Sequence, residues 1–145
     1  MYSRIGIAFA LGVTLAACHS TKDSAANDES ATTTAPVKEL SVPEVAGLVQ
    51  AKTATVVDAN NSETREKMGV VPGALLLTSS HDYALSELPA AKDTKLVFYC
   101  GGTMCRASDS AAKRAAQAGY ADVSVMRAGI KGWKDAGKPT EMPRS

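Results

Sequence analysis

The sequence predicts an α/β fold in which helices flank both faces of a central, mostly parallel sheet, as one domain. Three observations carry that expectation. Short runs such as Thr53 to Ala59 and Lys95 to Tyr99 are apolar or β-branched at nearly consecutive positions, as in strands buried on both faces. Stretches of helix-forming residues separate these runs, so strands and helices alternate along the chain. Polar residues and glycines then stand where the strands end, at Asp58 and at Cys100-Gly101-Gly102, the positions where open parallel sheets gather ligands.

Each element has its own signal. Ser41-Val42-Pro43-Glu44 places a capping serine, a proline in the first turn and a glutamate three residues after the cap, and Val45, Leu48 and Val49 follow at helical spacing. A helix of about ten residues is expected there. Thr53 to Ala59 reads as a central strand ending on Asp58, and Ser62 to Lys67 as a short helix capped by Ser62. Val71-Pro72-Gly73 is a turn, and Ala74 to Thr78 is a second short strand. From Ser79 to Asp93 the pattern is broken by Pro89 and predicts a loop with a helical turn or two. Lys95 to Tyr99 is the next strand, and Ala107 to Ala118 a helix ended by Gly119. Val123 to Met126 is a further strand, and a closing helix starts at Gly129-Ile130-Lys131-Gly132-Trp133 and stops near Gly137-Lys138-Pro139.

The first residues belong to targeting. Met1 to Arg4 carries one positive charge, Ile5 to Leu15 is apolar apart from Thr14, and Leu15-Ala16-Ala17-Cys18 closes the segment. This is the pattern of a secretory signal over residues 1–17. The apolar run is shorter than the roughly 20 residues that a spanning helix needs. Leu15-Ala16-Ala17-Cys18 also resembles the bacterial lipobox, which implies cleavage before Cys18 and a lipid on its sulfur. The expected location is the cell envelope, with the chain held to a membrane by its lipid alone and facing the periplasm or the exterior. Residues 18–36, rich in Ser, Thr, Ala, Asp and Asn, have no hydrophobic period and read as a disordered tether. The folded domain is then 37–143, expected to be monomeric.

Lys plus Arg number 16 against 15 Asp plus Glu, a net charge of +1, and the basic residues are scattered. That balance argues against nucleic acid as a partner. Of the 3 cysteines, lipidation of Cys18 leaves Cys100 and Cys105 as thiols in a compartment that permits a disulfide between them.

The chemistry concentrates in Cys100-Gly101-Gly102-Thr103-Met104-Cys105-Arg106. A thiol at the end of a buried strand and the start of a helix faces unpaired amides, which stabilise thiolate, and Arg106 supplies a cation nearby. Gly101 and Gly102 allow the loop to curl so that its amides converge on an anion. The loop from Gly101 to Arg106 is therefore the expected anion-binding segment around the nucleophile Cys100. Cys105 reads as a resolving or disulfide partner, or as a packed loop residue. Asp58 reads as structural support that caps the following turn. Lys113 and Arg114 read as a solvated basic face, Trp133 as core, and His81 with the two cysteines matches no standard zinc spacing. No metal or cofactor is implied.

Four stretches between about Leu40 and Thr140 resemble the rhodanese-like domains. Val56-Val57-Asp58 is similar to that family's strand ending in aspartate, and Gly69-Val70-Val71-Pro72-Gly73-Ala74 to its Gly-x-Ile-Pro-Gly-Ala turn. Val97-Phe98-Tyr99-Cys100 resembles its catalytic strand. Gly129 to Trp133 with Ala136-Gly137-Lys138-Pro139 resembles its closing signature. The resemblance implies a sulfurtransferase in which Cys100 accepts sulfane sulfur as a persulfide, from a small anion such as thiosulfate, and passes it to a thiol acceptor. Arg106 would pair with the sulfonate end of the donor.

The chain departs from the family in three respects. Five residues separate Cys100 from Arg106, a spacing similar to that of cell-cycle phosphatases and arsenate reductases, which hold a tetrahedral oxyanion in such a loop. Tyr99 stands where those phosphatases place His. Cys105 is a second loop thiol, able to resolve a persulfide or sulfenate on Cys100. Asn60 and Val70 stand where the family commonly has Arg and His. A phosphatase or arsenate reductase, a non-catalytic binding module, and a Cys100/Cys105 dithiol redox protein are thus the rival functions.

Overall fold

A computed structural model describes residues 36–144. The expected signal segment, the expected lipidation site Cys18 and nearly all of the expected tether lie outside these residues.

Leu96, Val97, Phe98 and Tyr99 are all fully buried, because the strand they form, β4 (Leu96–Tyr99), is the middle of a sheet covered on both sides. Its neighbours are β2 (Thr55–Asp58) and β5 (Val123–Met126). The short edges are β1 (Lys38–Glu39) beside β5 and β3 (Leu75–Leu76) beside β2. The order is β1-β5-β4-β2-β3, and every pairing is parallel. Val57 lies opposite Phe98, which lies opposite Val125. The expected α/β fold is thus present, with a sheet that is parallel throughout.

Alternation along the strands sends successive side chains to opposite faces. On one face Val57, Leu96, Phe98, Val123 and Val125 pack with Ala111, Ala112, Ala115 and Ala116 of α3 (Ala107–Gln117). On the other, Val56, Val97, Tyr99 and Met126 pack with Val42 and Val45 of α1 (Val42–Ala51) and with Ile130 and Trp133 of α4 (Gly129–Asp135). Small alanines let α3 lie close to the sheet, which brings its first turn against the end of β4. Burying a side chain such as Phe98 contributes about 1.5–3 kcal/mol.

Most elements fall where the sequence places them. The α1 start has the expected capping box, with Glu44 accepting from the Ser41 amide at 2.8 Å. Three details differ. The cap of α2 (Ser62–Met68) is Asn61, whose side chain accepts from the Thr64 amide at 2.9 Å, and Ser62 is the first helical residue. The strand expected over Ala74 to Thr78 shrinks to two residues, since the Val71-to-Ala74 turn occupies its start and β2 itself ends at Asp58, whose carbonyl takes the last bond from the Leu77 amide at 3.1 Å. Strand β1 was not expected, because Lys38 and Glu39 are exposed and carry no hydrophobic signal. It exists through its pairing with Ser124 and Val125.

The segment from Ser79 to Asp93 holds a single short 3-10 turn, Leu85–Glu87. It is pinned to α3: the buried Tyr83 hydroxyl donates to the Ala111 carbonyl at 2.8 Å, and Arg114 donates back to the Tyr83 carbonyl at 3.2 Å. Arg114 also lies over the Tyr83 ring, 5.3 Å from its centroid, so it is a staple rather than part of a solvated basic face. Lys113 is exposed.

Candidate active site

The end of the sheet is braced before the cysteine loop begins. Asp58 is fully buried and accepts from the Asn60 amide at 2.7 Å, from Arg65 Nε at 3.1 Å and from the Tyr99 hydroxyl. Arg65 also donates to the carbonyls of Asp58 and Leu77, and the Tyr99 oxygen accepts from the Val71 amide at 3.0 Å. Burial, with the Asp58 charge beside it, pushes the Tyr99 phenol far up, so it remains a neutral donor. Asp58 therefore ties β2, β4 and α2 together and makes no hydrogen bond to the loop, in keeping with a supporting role.

Cys100 follows directly. It is 2% exposed, with Sγ 3.4 Å from the Cys105 carbonyl oxygen and 3.2 Å from Ser108 Oγ in the first turn of α3. Its own carbonyl accepts from the Ile130 amide at 2.8 Å, and that of Gly101 from the Lys131 amide at 3.1 Å. The start of α4 is thus laid against the loop backbone.

That approach requires Gly129. Its φ is +63°, and a Cβ there would sit 2.5 Å from the Cys100 carbonyl oxygen and 2.6 Å from the Gly102 nitrogen. Gly101 and Gly102, by contrast, are not in the left-handed region. A Cβ on either would meet nothing closer than 3.8 Å and 3.6 Å respectively. The glycine on which the loop depends comes from the distant closing signature.

The tip of the loop is a turn in which the Cys105 amide donates to the Gly102 carbonyl at 2.9 Å. Thr103 and Met104 project outward, Met104 being 92% exposed. Gly101 to Cys105 and Lys131 enclose a shallow open depression of about 320 Å³. The cation at its wall is Lys131, whose ammonium also pairs with Asp135 at 2.6 Å. Arg106 is elsewhere: its side chain is 75% exposed and pairs with Asp109 at 3.1 Å. Asp109 is also held by Arg127 through two bonds of 2.9 Å, and Arg127 reaches Glu39 on β1 at 3.0 Å.

The two thiols are shifted in opposite directions. Burial, and donation of its proton towards Cys105, push the Cys100 thiol up despite hydrogen bonds from Ser108. The expectation of an easily ionised Cys100 is not met in this conformation. Partial burial also acts upward on Cys105. Hydrogen bonds from Cys100 and from the amides of Ala107 and Gly101 outweigh it and bring the Cys105 thiol down. Backbone amides, that of Ser108 at Cys100 and those of Ala107 and Gly101 at Cys105, act downward on both thiols, and they prevail at Cys105 alone. Both cysteines are free thiols.

The rhodanese-like domain model matches residues 41–136. The chain belongs to the rhodanese-like domain family. Its fold is similar to that of a Rhodopseudomonas palustris protein of unknown function described as a possible tyrosine phosphatase. The identity is 29%, with a TM-score of 0.58, over 72% of this chain and 85% of that one. It is also similar to a polysulfide-sulfur transferase homodimer from Wolinella succinogenes, at 16% identity and TM-score 0.61, over 74% and 80% of the two chains. A thiosulfate sulfurtransferase from Pseudomonas aeruginosa aligns at 21% identity and TM-score 0.59, over 75% of this chain and 21% of that one. No curated protein matches the chain.

Within this rhodanese-like frame, Asn60 and Val70 occupy two different settings. Val70 is core and pairs with Glu141 in an isolated antiparallel bridge. Asn60 is 8% exposed, its Oδ1 lies 3.8 Å from the place of a Gly101 Cβ, and its Nδ2 has no partner among the described residues. His81 is exposed and pairs with Ser80, and no cluster of three metal-ligating side chains occurs among the described residues. Sequence reasoning overlooked Ser108, Lys131 and Asp109. Ser108 had a usable signal, since a small hydroxyl residue in the first turn after a cysteine loop points back at the thiol. Lys131 had none, because only the packing of α4 brings it to the loop.

Proposed function

We propose that the chain is a sulfurtransferase whose Cys100 takes sulfane sulfur from a small sulfur anion such as thiosulfate and hands it to a thiol acceptor. The observation that carries the reading is the placement of Cys100 Sγ at the end of β4 and before an eleven-residue helix, 3.2 Å from Ser108 Oγ, a hydroxyl able to donate to anionic sulfur once it forms. Membership of a family with sulfurtransferase neighbours supports it. In the first half-reaction the Cys100 thiol releases its proton to solvent, and the thiolate attacks the outer sulfur of thiosulfate. The Cys100 S–S bond forms as the S–S bond of thiosulfate breaks, and sulfite leaves with that electron pair. An acceptor thiolate then takes the outer sulfur and returns Cys100 to the thiolate. Lys131 lies where it attracts an anionic donor to the depression, and no cofactor is needed. The protein works as a monomer at the cell envelope, tethered through Cys18.

Incubation with thiosulfate followed by intact mass measurement tests this. The expected result is a gain of one sulfur that is lost in Cys100→Ser. An unchanged mass in a folded protein would remove the reading. A second reading is phosphatase or arsenate reductase chemistry, favoured by the five-residue spacing to Arg106 and by the description of the 29% identical neighbour. It requires Arg106 to leave Asp109, and it would show as turnover of a phosphate ester or arsenate with no sulfur gained. A non-catalytic module would show neither, and its biological effect would survive Cys100→Ser.

A further inference from the structure

Cys100 is buried, packed between the Cys105 carbonyl and Ser108. A small anion needs only a narrow approach to such a sulfur. The thiol of a peptide or protein is far bulkier and would have to open the loop. Cys105 is on the accessible side. It is partly exposed and lines the open depression beside Lys131, while its backbone carbonyl oxygen lies 3.4 Å from Cys100 Sγ. The two cysteines are therefore neighbours in the loop, one buried and one partly exposed.

We infer that Cys105 is a second sulfur carrier, which takes the sulfane sulfur from Cys100 and presents it to the external thiol. The inference rests on the sulfurtransferase reading of Cys100. Since the inner sulfur of a Cys100 persulfide is enclosed by Cys105 O and Ser108 Oγ, the outer sulfur is the one left to project towards Cys105. The Cys105 thiolate attacks that outer sulfur. A Cys105 S–S bond forms, the Cys100 S–S bond breaks, and Cys100 leaves as thiolate and takes up the proton of the transferred SH group. The sulfane sulfur keeps its oxidation state, so no oxidant or reductant is required. The start of α3, two residues beyond Cys105, then favours the new persulfide anion. The external thiol would meet it at the depression.

The test loads the full chain with thiosulfate, traps thiols and persulfides with iodoacetamide at successive times, and fragments the tryptic peptide Leu96 to Arg106 to locate the added sulfur. The expected result is sulfur first on Cys100 and later on Cys105. In Cys105→Ser the sulfur stays on Cys100, and its discharge to glutathione slows about tenfold or more, the effect of losing a step worth about 1.4 kcal/mol. Cys100→Ser should carry none on either residue. Sulfur confined to Cys100 in the wild type overturns the relay and leaves the sulfurtransferase reading standing. Loss of two hydrogens with release of sulfide also overturns it, in favour of a Cys100–Cys105 disulfide. Wild-type protein that takes up no sulfur removes both readings. The wild-type peptide map decides even if the variants fail to fold.

Discussion

At the scale of single residues, the loop combines side chains that lie close in sequence with others that arrive from far along the chain. Cys100 and Cys105 are legible because a strand, a glycine pair and a helix start are adjacent in the sequence, whereas Arg106, next to them in the chain, turns outward to Asp109. The ionisation of the pair is not legible, since it depends on which sulfur the amides of Gly101, Ala107 and Ser108 reach. Because Cys105 is lowered and more exposed while Cys100 is raised and buried, a brief pulse of iodoacetamide near neutral pH should label Cys105 before Cys100. Peptide mapping reads the order, and prior labelling of Cys100 would contradict the assignment. Gly129 is the second residue-scale prediction. An alanine there takes a left-handed φ and places its Cβ 2.5 Å from a backbone oxygen, a contact that no side-chain rotation relieves. Gly129→Ala should lose about 2 kcal/mol or more of stability in urea denaturation, together with sulfur loading on Cys100. The signature Gly129 to Trp133 was visible as a family resemblance, but its reason is this close approach of backbones.

At the scale of elements, local rules succeed where the partner of a group lies within one turn. The α1 capping box is complete within Ser41 to Glu44, and the apolar strands β2, β4 and β5 announce their burial at every position. Elements made by partners far away are invisible to those rules: β1 is two exposed residues that become a strand only beside β5. The α2 start shows how two adjacent capping candidates are separated by backbone shape. Asn61 has extended backbone, as a cap requires, and its Oδ1 reaches the Thr64 amide, whereas Ser62 is already helical. Asn61→Ala should therefore cost about 1 kcal/mol, in the range typical of a lost cap. Ser62→Ala should fall within about 0.5 kcal/mol of wild type. Thermal or urea denaturation of the two variants side by side checks the assignment, and a larger loss at Ser62 would reverse it.

At the scale of the whole molecule, the alternation of strands and helices was readable, but the strand order was not. Sheet order depends on pairings such as Asp58 with Tyr99 and Leu96 with Val123, which leave no mark on either segment alone. The same long-range joints fix the response to acid. Asp109 is held below its ordinary value, first by hydrogen bonds from Arg127 and then by Arg106. Through Arg127 it links α3 to Glu39 of β1. Glu87 is also lowered: slight burial opposes this, but hydrogen bonds from Thr78 and Ala84 prevail. Ser41 lowers Glu44, and the Gly73 amide lowers Glu141. In each case the folded protein binds a proton less readily than the unfolded chain. Their contribution to stability is therefore complete above the ordinary values of 3.8 for Asp109 and 4.5 for the glutamates. It is lost as pH falls through the lower folded values. Stability should be level with respect to these groups from neutral pH down to about pH 5 and should drop steeply below about pH 4. Asp109→Asn removes one titrating joint. It should lower the urea midpoint at neutral pH, where the charge pair with Arg127 is intact, and narrow the gap between the midpoints at neutral and acid pH. An unchanged gap would mean that the joint between α3 and β1 takes no part in acid unfolding.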